Sequence, residues 1–163
     1  CRLSHRSIDI IAIVDSDTRE IIWAWGLGVL DGQHQPQMLP NGNILLFDNG
    51  TLRGYSRVLE FDPREPDVFL WEYSDPEGFF SPFRAGQQRL PNGNTLICEA
   101  DCGRIFEVTM EGDVVWDYYS PFFGDQFVNV YRATRYSPEL VEPLLDEGIL
   151  AHSREGRYGP WLR

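Results

Sequence analysis

An all-β fold made of successive β-propeller blades is what this 163-residue sequence predicts. Three observations carry that expectation. A unit of strand-like runs recurs along the chain, its first two runs are joined by an Asn-Gly turn, and aromatic residues, which favour half-buried pleated surfaces, reach 13% of the composition.

The repeat is read directly from the residues. Leu39-Pro40-Asn41-Gly42-Asn43 returns 51 residues later as Leu90-Pro91-Asn92-Gly93-Asn94. Each copy leads into an apolar run, Ile44-Leu45-Leu46-Phe47 or Thr95-Leu96-Ile97-Cys98. The third run is Ser56-Arg57-Val58-Leu59-Glu60-Phe61 in one copy and Gly103-Arg104-Ile105-Phe106-Glu107-Val108 in the other. There the spacing is 47, so the earlier unit carries four extra residues near 51–55. The fourth run holds a tryptophan: Phe69-Leu70-Trp71-Glu72-Tyr73, Val114-Val115-Trp116-Asp117-Tyr118 and, upstream, Ile21-Ile22-Trp23-Ala24-Trp25. Asn-Gly supplies the positive φ angles of a tight hairpin, and the short alternating or apolar runs suit half-buried strands. The three tryptophans are expected in the core, packed between neighbouring sheets with the indole N–H on a carbonyl.

Taken in order, residues 1–30 form the end of one blade, 31–75 a second and 83–120 a third. Residues 127–136 read as one further strand, the innermost of a next blade or one closing the ring. Residues 137–145 read as a short helical turn within a blade region of 1–145, and 146–163 as a C-terminal tail. Four strands per repeat of this length is a propeller signature, and propellers carry about four to eight blades. Two complete units and the last strands of one before them are fewer than three blades, which leaves sheet faces and edges uncovered, so either this is a fragment of a longer chain, the preferred reading, or missing blades are supplied by another copy of the chain.

Composition narrows the function classes. Fourteen basic residues against 25 acidic ones give a net charge of −11, which argues against a nucleic-acid partner. No apolar run approaches the length of a membrane span. Three cysteines, at 1, 98 and 102, make no disulfide framework. Cys98 and Cys102 either pair across a tight bend or are a buried thiol and an exposed one. No further ligands at zinc spacing accompany them, so no metal is expected.

Counting back from the shared Leu-Pro-Asn-Gly-Asn, His34 corresponds to Ala85 of the next unit. A scaffold residue tends to recur in both units, whereas this histidine is singular. Innermost strands line the central channel of a propeller, so His34 is either a channel-facing functional group or a hairpin-edge histidine with a satisfied hydrogen bond.

The stretch Gln33-His34-Gln35-Pro36-Gln37-Met38-Leu39-Pro40-Asn41-Gly42-Asn43-Ile44-Leu45-Leu46-Phe47-Asp48-Asn49-Gly50, followed by Ser56-Arg57, resembles the arylsulfotransferase family. So do Gln88 to Glu99, Gly103 to Thr109 and the closing Tyr131-Arg132-Ala133-Thr134-Arg135-Tyr136. The resemblance implies a six-bladed propeller with its active site in the central funnel. It implies sulfuryl transfer from an aryl sulfate ester to a phenol through a sulfated histidine, without a nucleotide donor or other cofactor. It also implies a periplasmic or secreted location. By that likeness His34 takes the nucleophile's place and Arg6 that of an arginine contacting the sulfate.

The chemistry suits these residue types. A neutral imidazole, with an ordinary pKa of ~6.5, is a competent nucleophile. Preorganised cations stabilise charge that spreads over the sulfuryl oxygens and the leaving phenolate. Arg6 is a candidate clamp, and His5 a donor to a sulfate oxygen or the leaving group. Asn49 is a candidate to orient His34 or bind the sulfate, and Arg53 one to reach over the funnel rim. Bland alternatives stand beside them: Asn49 as a turn residue, His5 as an edge-strand histidine, and His152 as inert. Arg57 and Arg104 recur and are read as structural, paired with Glu60 and Glu107 or with loop carbonyls. The rival to an enzyme is a non-catalytic propeller that binds a ligand or protein. A quinone-dependent dehydrogenase is disfavoured by the lack of adjacent cysteines and an acidic metal cage. An isolated copy, lacking half the funnel wall, is expected to show little activity.

Overall fold

The computed structural model describes residues 2–121 and 130–146. Three antiparallel sheets follow one another along the chain. The first contains β1 (Arg2–His5), β2 (Ile10–Val14) and β3 (Ile21–Trp25) in that order. The second contains β4 (His34–Met38), β5 (Ile44–Asp48), β6 (Arg57–Phe61) and β7 (Phe69–Ser74). The third contains β8 (Gly86–Arg89), β9 (Thr95–Glu99), β10 (Arg104–Val108) and β11 (Val114–Tyr119), and one helix, α1 (Pro138–Asp146), follows. This is an arc of propeller blades, as the repeat predicts. No helix among the described residues is long and apolar enough to cross a membrane.

The Asn-Gly turns close the innermost hairpins in the same way twice. Leu39 N–H donates to Asn43 O and Leu90 N–H to Asn94 O, each at 2.8 Å. Gly42 and Gly93 both take φ +91°, a conformation that disfavours any side chain. Asn41 and Asn92 accept from the backbone N–H two residues on, which fixes the turn locally.

Packing follows from the pleat. Along β5, Ile44 and Leu46 point into a cluster with Ile11, Leu30, Leu59 and Phe61, while Leu45 and Phe47 point the other way, towards Phe79, Ala85, Ile97 and Phe106. A strand buried on both faces must be apolar at every position, and every residue of β5 but its last is apolar. Aromatic rings seal the joint between the second and third sheets. Phe79 meets Phe47 and Phe106 edge-on, at centroid separations of 5.3 and 5.5 Å.

Two tryptophans clip each sheet to the next. Trp23 Nε1 donates to Pro63 O at 3.0 Å, and Trp71 Nε1 to Met110 O at 2.9 Å, in each case on the turn before the outermost strand of the following sheet. A carboxylate does the same work on the inner side. Glu60 accepts from Asn41 and Asn43 of its own turn and pairs with Arg89 of the next sheet at 2.6 Å. Glu107 repeats this with Asn92, Asn94 and Arg135.

Glu60 and Glu107 are thus not the partners of Arg57 and Arg104. Arg57 instead reaches Asp48, directly opposite it on β5, at 2.8 Å, and the carbonyl of Val29 at 3.0 Å. Arg104 takes Asp117 at 2.9 Å and, opposite it on β9, Glu99 at 3.5 Å. Side chains on opposed residues share one face of a sheet, whereas Glu60 lies three residues further along β6 and on the other face.

The first sheet has three strands because it matches strands two to four of the others. Ile13 stands opposite Trp23 as Glu60 stands opposite Trp71 and Glu107 opposite Trp116. Its innermost strand is not among the described residues. The further strand expected at 127–136 also needs correction. Residues 127–129 lie outside the described set, and 130–136 carry no strand assignment. The segment still follows the third sheet: Val130 N–H donates to Ala100 O, and Gln88 brackets Arg135, accepting from its N–H at 2.8 Å and donating to its carbonyl at 3.0 Å. A strand is defined by its ladder, and this segment has no second strand to pair with among the described residues.

Phe106 is fully buried in the cluster between the second and third sheets. Phe106→Ala is expected to lower the unfolding free energy by about 3–5 kcal/mol, read as an earlier midpoint in urea. A loss below about 1 kcal/mol would show that this joint is not a packed core.

Candidate functional site

The loops at one end of the sheets bring together residues that the sequence keeps far apart. β4 opens with His34, opposite Phe47, but the next ladder pair is Gln37 with Leu45, so one extra residue is looped out between them. The bulge sits at Gln35-Pro36. Pro36 has no N–H to give to a ladder, and Gln35 takes φ +49°, a left-handed conformation costing a non-glycine residue roughly 1–2 kcal/mol. In the third sheet the ladder runs without interruption from Gly86, which stands opposite Cys98. Ladder position therefore matches His34 with Gly86, one place from the Ala85 that counting selects, because counting cannot see a bulge.

Asn49, just past β5, is fully buried and decides the state of the histidine. Its amide nitrogen donates to Ser81 O at 2.6 Å and, more weakly, to Arg84 O at 3.5 Å. Its amide oxygen is thereby turned to His34 Nδ1, 2.7 Å away. The second neighbour of Nδ1 is Gly32 O at 3.1 Å. Both neighbours are carbonyl oxygens and can only accept, so Nδ1 carries the ring proton. In its neutral form the ring would then present its lone pair at Nε2, the end not held by Asn49.

Arg6 follows β1 and occupies the ladder position in the first sheet that Asn49 occupies in the second. Its guanidinium donates to Thr51 Oγ1 at 3.3 Å and Pro82 O at 3.1 Å, and lies over the ring of Phe83. Its Nε is buried and has no hydrogen-bond partner among the described residues. Gly32 is the hinge between the arginine and the histidine. A Cβ there would lie 2.9 Å from Thr51 Oγ1 and 3.6 Å from the Arg6 guanidinium, and its φ of +74° also favours glycine. Asp9 Oδ1 accepts the Gly32 N–H at 2.7 Å and so anchors, through its preceding peptide, the residue whose carbonyl meets His34.

The segment 81–84 binds both halves together. Asn49 and Thr51 hold its carbonyls from one blade, Arg6 holds Pro82 O from another, and Ser81 N–H donates to Ser56 Oγ at 2.9 Å.

The family model for arylsulfotransferase (ASST) matches residues 2–120. The chain belongs to the arylsulfotransferase family. No curated protein sequence matches it. Among solved structures, a streptogramin B lyase is 18% identical with a TM-score of 0.55, over 74% of this chain and 37% of that one. Virginiamycin B lyase from Staphylococcus aureus is 17% identical with a TM-score of 0.49, over 74% and 38%. A protein of unknown function from Bacteroides caccae is 16% identical with a TM-score of 0.45, over 72% and 57%. The chain thus spans between about a third and three fifths of the length of these structures. The first of these likenesses supports the propeller-type fold and says nothing of chemistry.

Within this arylsulfotransferase-family arc, the five residues singled out by sequence do not share one environment. His34 and Asn49 are in direct contact, and Arg6 is joined to them through Gly32 and Thr51. His5 is exposed at the end of β1, beside Arg6, and its carbonyl accepts from Gln33. Arg53 is tied down by Asp48 at 3.1 Å and lies over the ring of Tyr55. Gly32, Thr51, Ser81 and Gln35 escaped the sequence reading. The motif spelling gave no sign of Ser81, which acts through its carbonyl. Gln35-Pro36, by contrast, carried a usable signal, since proline inside a strand marks a bulge.

Cys98 and Cys102 are both free thiols. Cys98 is buried and donates to Val130 O at 3.3 Å. Burial pushes its pKa up to about 12; Cys102 is an exposed residue, but partial burial of its thiol and the nearby Glu99 carboxylate push it up to about 11. No group of three or more His, Cys, Asp or Glu among the described residues could hold a metal ion. Because the thiolate is the reacting form, both cysteines should alkylate slowly at pH 8 and faster at each step of pH towards those values. Iodoacetamide labelling of a Cys1→Ser variant across pH 7–10.5 checks this; labelling at pH 8 as fast as a free cysteine would refute it.

Proposed function

We propose that His34 is the nucleophile of a sulfuryl transfer from an aryl sulfate ester to a phenol. The observation that carries this reading is the fixed amide of Asn49, which commits the proton of His34 to Nδ1 and leaves Nε2 as a lone pair. Nε2 attacks the sulfur, the bond between sulfur and the aryl oxygen breaks, and its electron pair leaves with the phenolate. The sulfated ring gains positive charge while Nδ1–H stays on Asn49 Oδ1 and Gly32 O, which stabilise that charge. The oxygen of the acceptor phenol then attacks the sulfur, and the pair of the nitrogen–sulfur bond returns to Nε2. The departing phenolate takes up a proton and the acceptor gives one up, so the cycle balances.

Arg6 serves as the clamp on the sulfuryl oxygens, with its unpartnered Nε and its charge held in place by Thr51 and Pro82. A preorganised donor of this kind contributes on the order of 10²–10³ in rate. His5, next to Arg6, exchanges the proton with the two phenols. Asn49 acts as a positioning residue, since both ends of its amide are already engaged by protein. Arg53 shapes the rim through Asp48. A periplasmic or secreted setting for the transfer is supported by the family likeness.

The test reads the histidine itself as well as its chemistry. Imidazole nitrogen shifts of His34 should report the Nδ1–H tautomer, and Asn49→Ala should mix the two tautomers. Incubation of the protein, its ring complete, with 4-nitrophenyl sulfate should release 4-nitrophenol and leave a sulfuryl group on the peptide containing His34, both lost in His34→Ala. Asn49→Ala should slow the sulfation by about 10–100-fold. A ring protonated at Nε2, or sulfation unaffected by His34→Ala, would overturn the assignment.

A further inference from the structure

We propose that Asp101 is a positioning residue for the transfer at His34: through the 81–84 segment it sets both the amide that orients the histidine and the guanidinium of Arg6. The inference rests on the reading of His34 and Arg6 given above. It adds a residue of the third sheet to a site drawn from the first two.

Asp101 lies in the middle of a short 3₁₀ turn, Ala100–Cys102, which Gly103 closes at φ +73°. Ala100 follows β9 as Asn49 follows β5 and Arg6 follows β1, so the counterparts of Asp101 are Gly50 and Ser7. A carboxylate at this place belongs to the third sheet alone among the three, and the repeat does not require it.

That carboxylate faces the segment that leads into β8. Oδ2 accepts the Phe83 N–H at 2.9 Å, and the Asp101 N–H donates to Ser81 Oγ at 3.1 Å. The Ser81 hydroxyl lies 3.1 Å from Oδ2 and 2.6 Å from Arg84 O, two acceptors that share its proton.

Two planar peptides carry this hold into the site. Phe83 N–H and Pro82 O belong to one trans peptide and point to opposite sides of it. Fixing the N–H on Asp101 therefore aims the carbonyl at Arg6 and Thr51, which donate to it at 3.1 and 2.8 Å. The preceding peptide, Ser81–Pro82, has no N–H by which it could be held. Its carbonyl takes the Asn49 amide at 2.6 Å, and its direction is left to Ser81, whose Oγ meets Asp101. Arg84 O, the second acceptor for Asn49, is bound to the same hydroxyl.

Charge runs along the same line. A carboxylate that accepts an N–H polarises the peptide, so that its carbonyl oxygen becomes a stronger acceptor. Asp101, the Pro82–Phe83 peptide and Arg6 form such a chain. Arg6 has no carboxylate partner among the described residues, so it is held without being neutralised by direct contact. Its charge and its unpartnered Nε stay available to an anionic sulfuryl group. Glu99 also holds this loop, accepting the Phe80 N–H at 2.9 Å, but it faces Arg104 at 3.5 Å, so its removal would disturb a cation as well. Asp101 has no ion pair among the described residues, and its removal tests the hold alone.

In the protein with its ring complete, Asp101→Ala should mix the two tautomers of His34, read from imidazole nitrogen shifts. It should also slow sulfation by 4-nitrophenyl sulfate about 10-fold or more, in kcat rather than KM. Asp101→Asn keeps an oxygen in the place of Oδ2 and should restore the tautomer and most of the rate. Ser81→Ala, a smaller change in the same hold, should shift the tautomer the same way and reads the route even where Asp101→Ala folds poorly. A tautomer or a kcat unmoved by these two alanine substitutions, or a loss that Asp101→Asn does not restore, would overturn the proposal and leave His34 as the nucleophile. Mixed tautomers in variants of a protein whose His34 never becomes sulfated would uphold the hold on the ring and overturn the reading of the transfer.

Discussion

Every sheet among the described residues has two faces, and where two sheets meet each covers a face of the other. That constraint organises the rest. It makes β5 apolar almost throughout, because its alternate residues serve two different neighbours. It also requires each sheet to carry a directional device that recognises its successor. The indole-to-carbonyl bonds of Trp23 and Trp71 supply that direction on the outside, and Glu60 with Arg89 supplies it near the channel. Burial alone is non-directional and would tolerate sliding; a hydrogen bond or ion pair between defined positions does not.

The carboxylates show how economical the repeat is. Glu60 satisfies two asparagine amides of its own turn through one oxygen and the next sheet's arginine through the other. Burial pushes the Glu107 carboxyl up, but Asn94, Asn92 and Arg135 together hold it below the usual glutamate range. A buried acid is tolerable when each oxygen is occupied in this way. The same logic sets Arg57 on Asp48, at 14% and 0% side-chain exposure. Between the first and second sheets the equivalent positions hold Ile13 and Met38, both uncharged, so neither charge is left alone.

The fold was legible because its signals are local. An Asn-Gly turn, a two-residue alternation and a tryptophan at a fixed place each depend on a few neighbouring residues, and three registers agreed. What could not be read were relations between repeats. Glu60 looked like a partner for Arg57 because they are close in sequence, yet the pleat puts them on opposite faces and Arg89 lies 29 residues on. His34 was recognised as singular, but its equivalence shifted by one residue because the bulge at Gln35-Pro36 adds a position that no count reveals. Asn49 was noted as a possible orienting group, while the carbonyls of Ser81 and Arg84 that settle its amide are backbone atoms without a residue-type signature.

The site departs from the repeat where the repeat is weakest. Arg6, Asn49 and Ala100 occupy one structural position in three successive sheets, each just past the second strand of its blade. Nothing in the packing demands a particular residue there: Ala100 is small, Asn49 is a hydrogen-bond relay and Arg6 is a cation. The scaffold fixes the place and leaves its chemistry open. Segment 81–84 then draws the arginine of one blade and the asparagine of the next onto the same short stretch of backbone. A left-handed Gln35 beside His34 costs stability that a purely structural strand would not need to spend. Of the two innermost strands described, the cost falls on β4, which carries the histidine, and β8, with an unbroken ladder from Gly86, does without it.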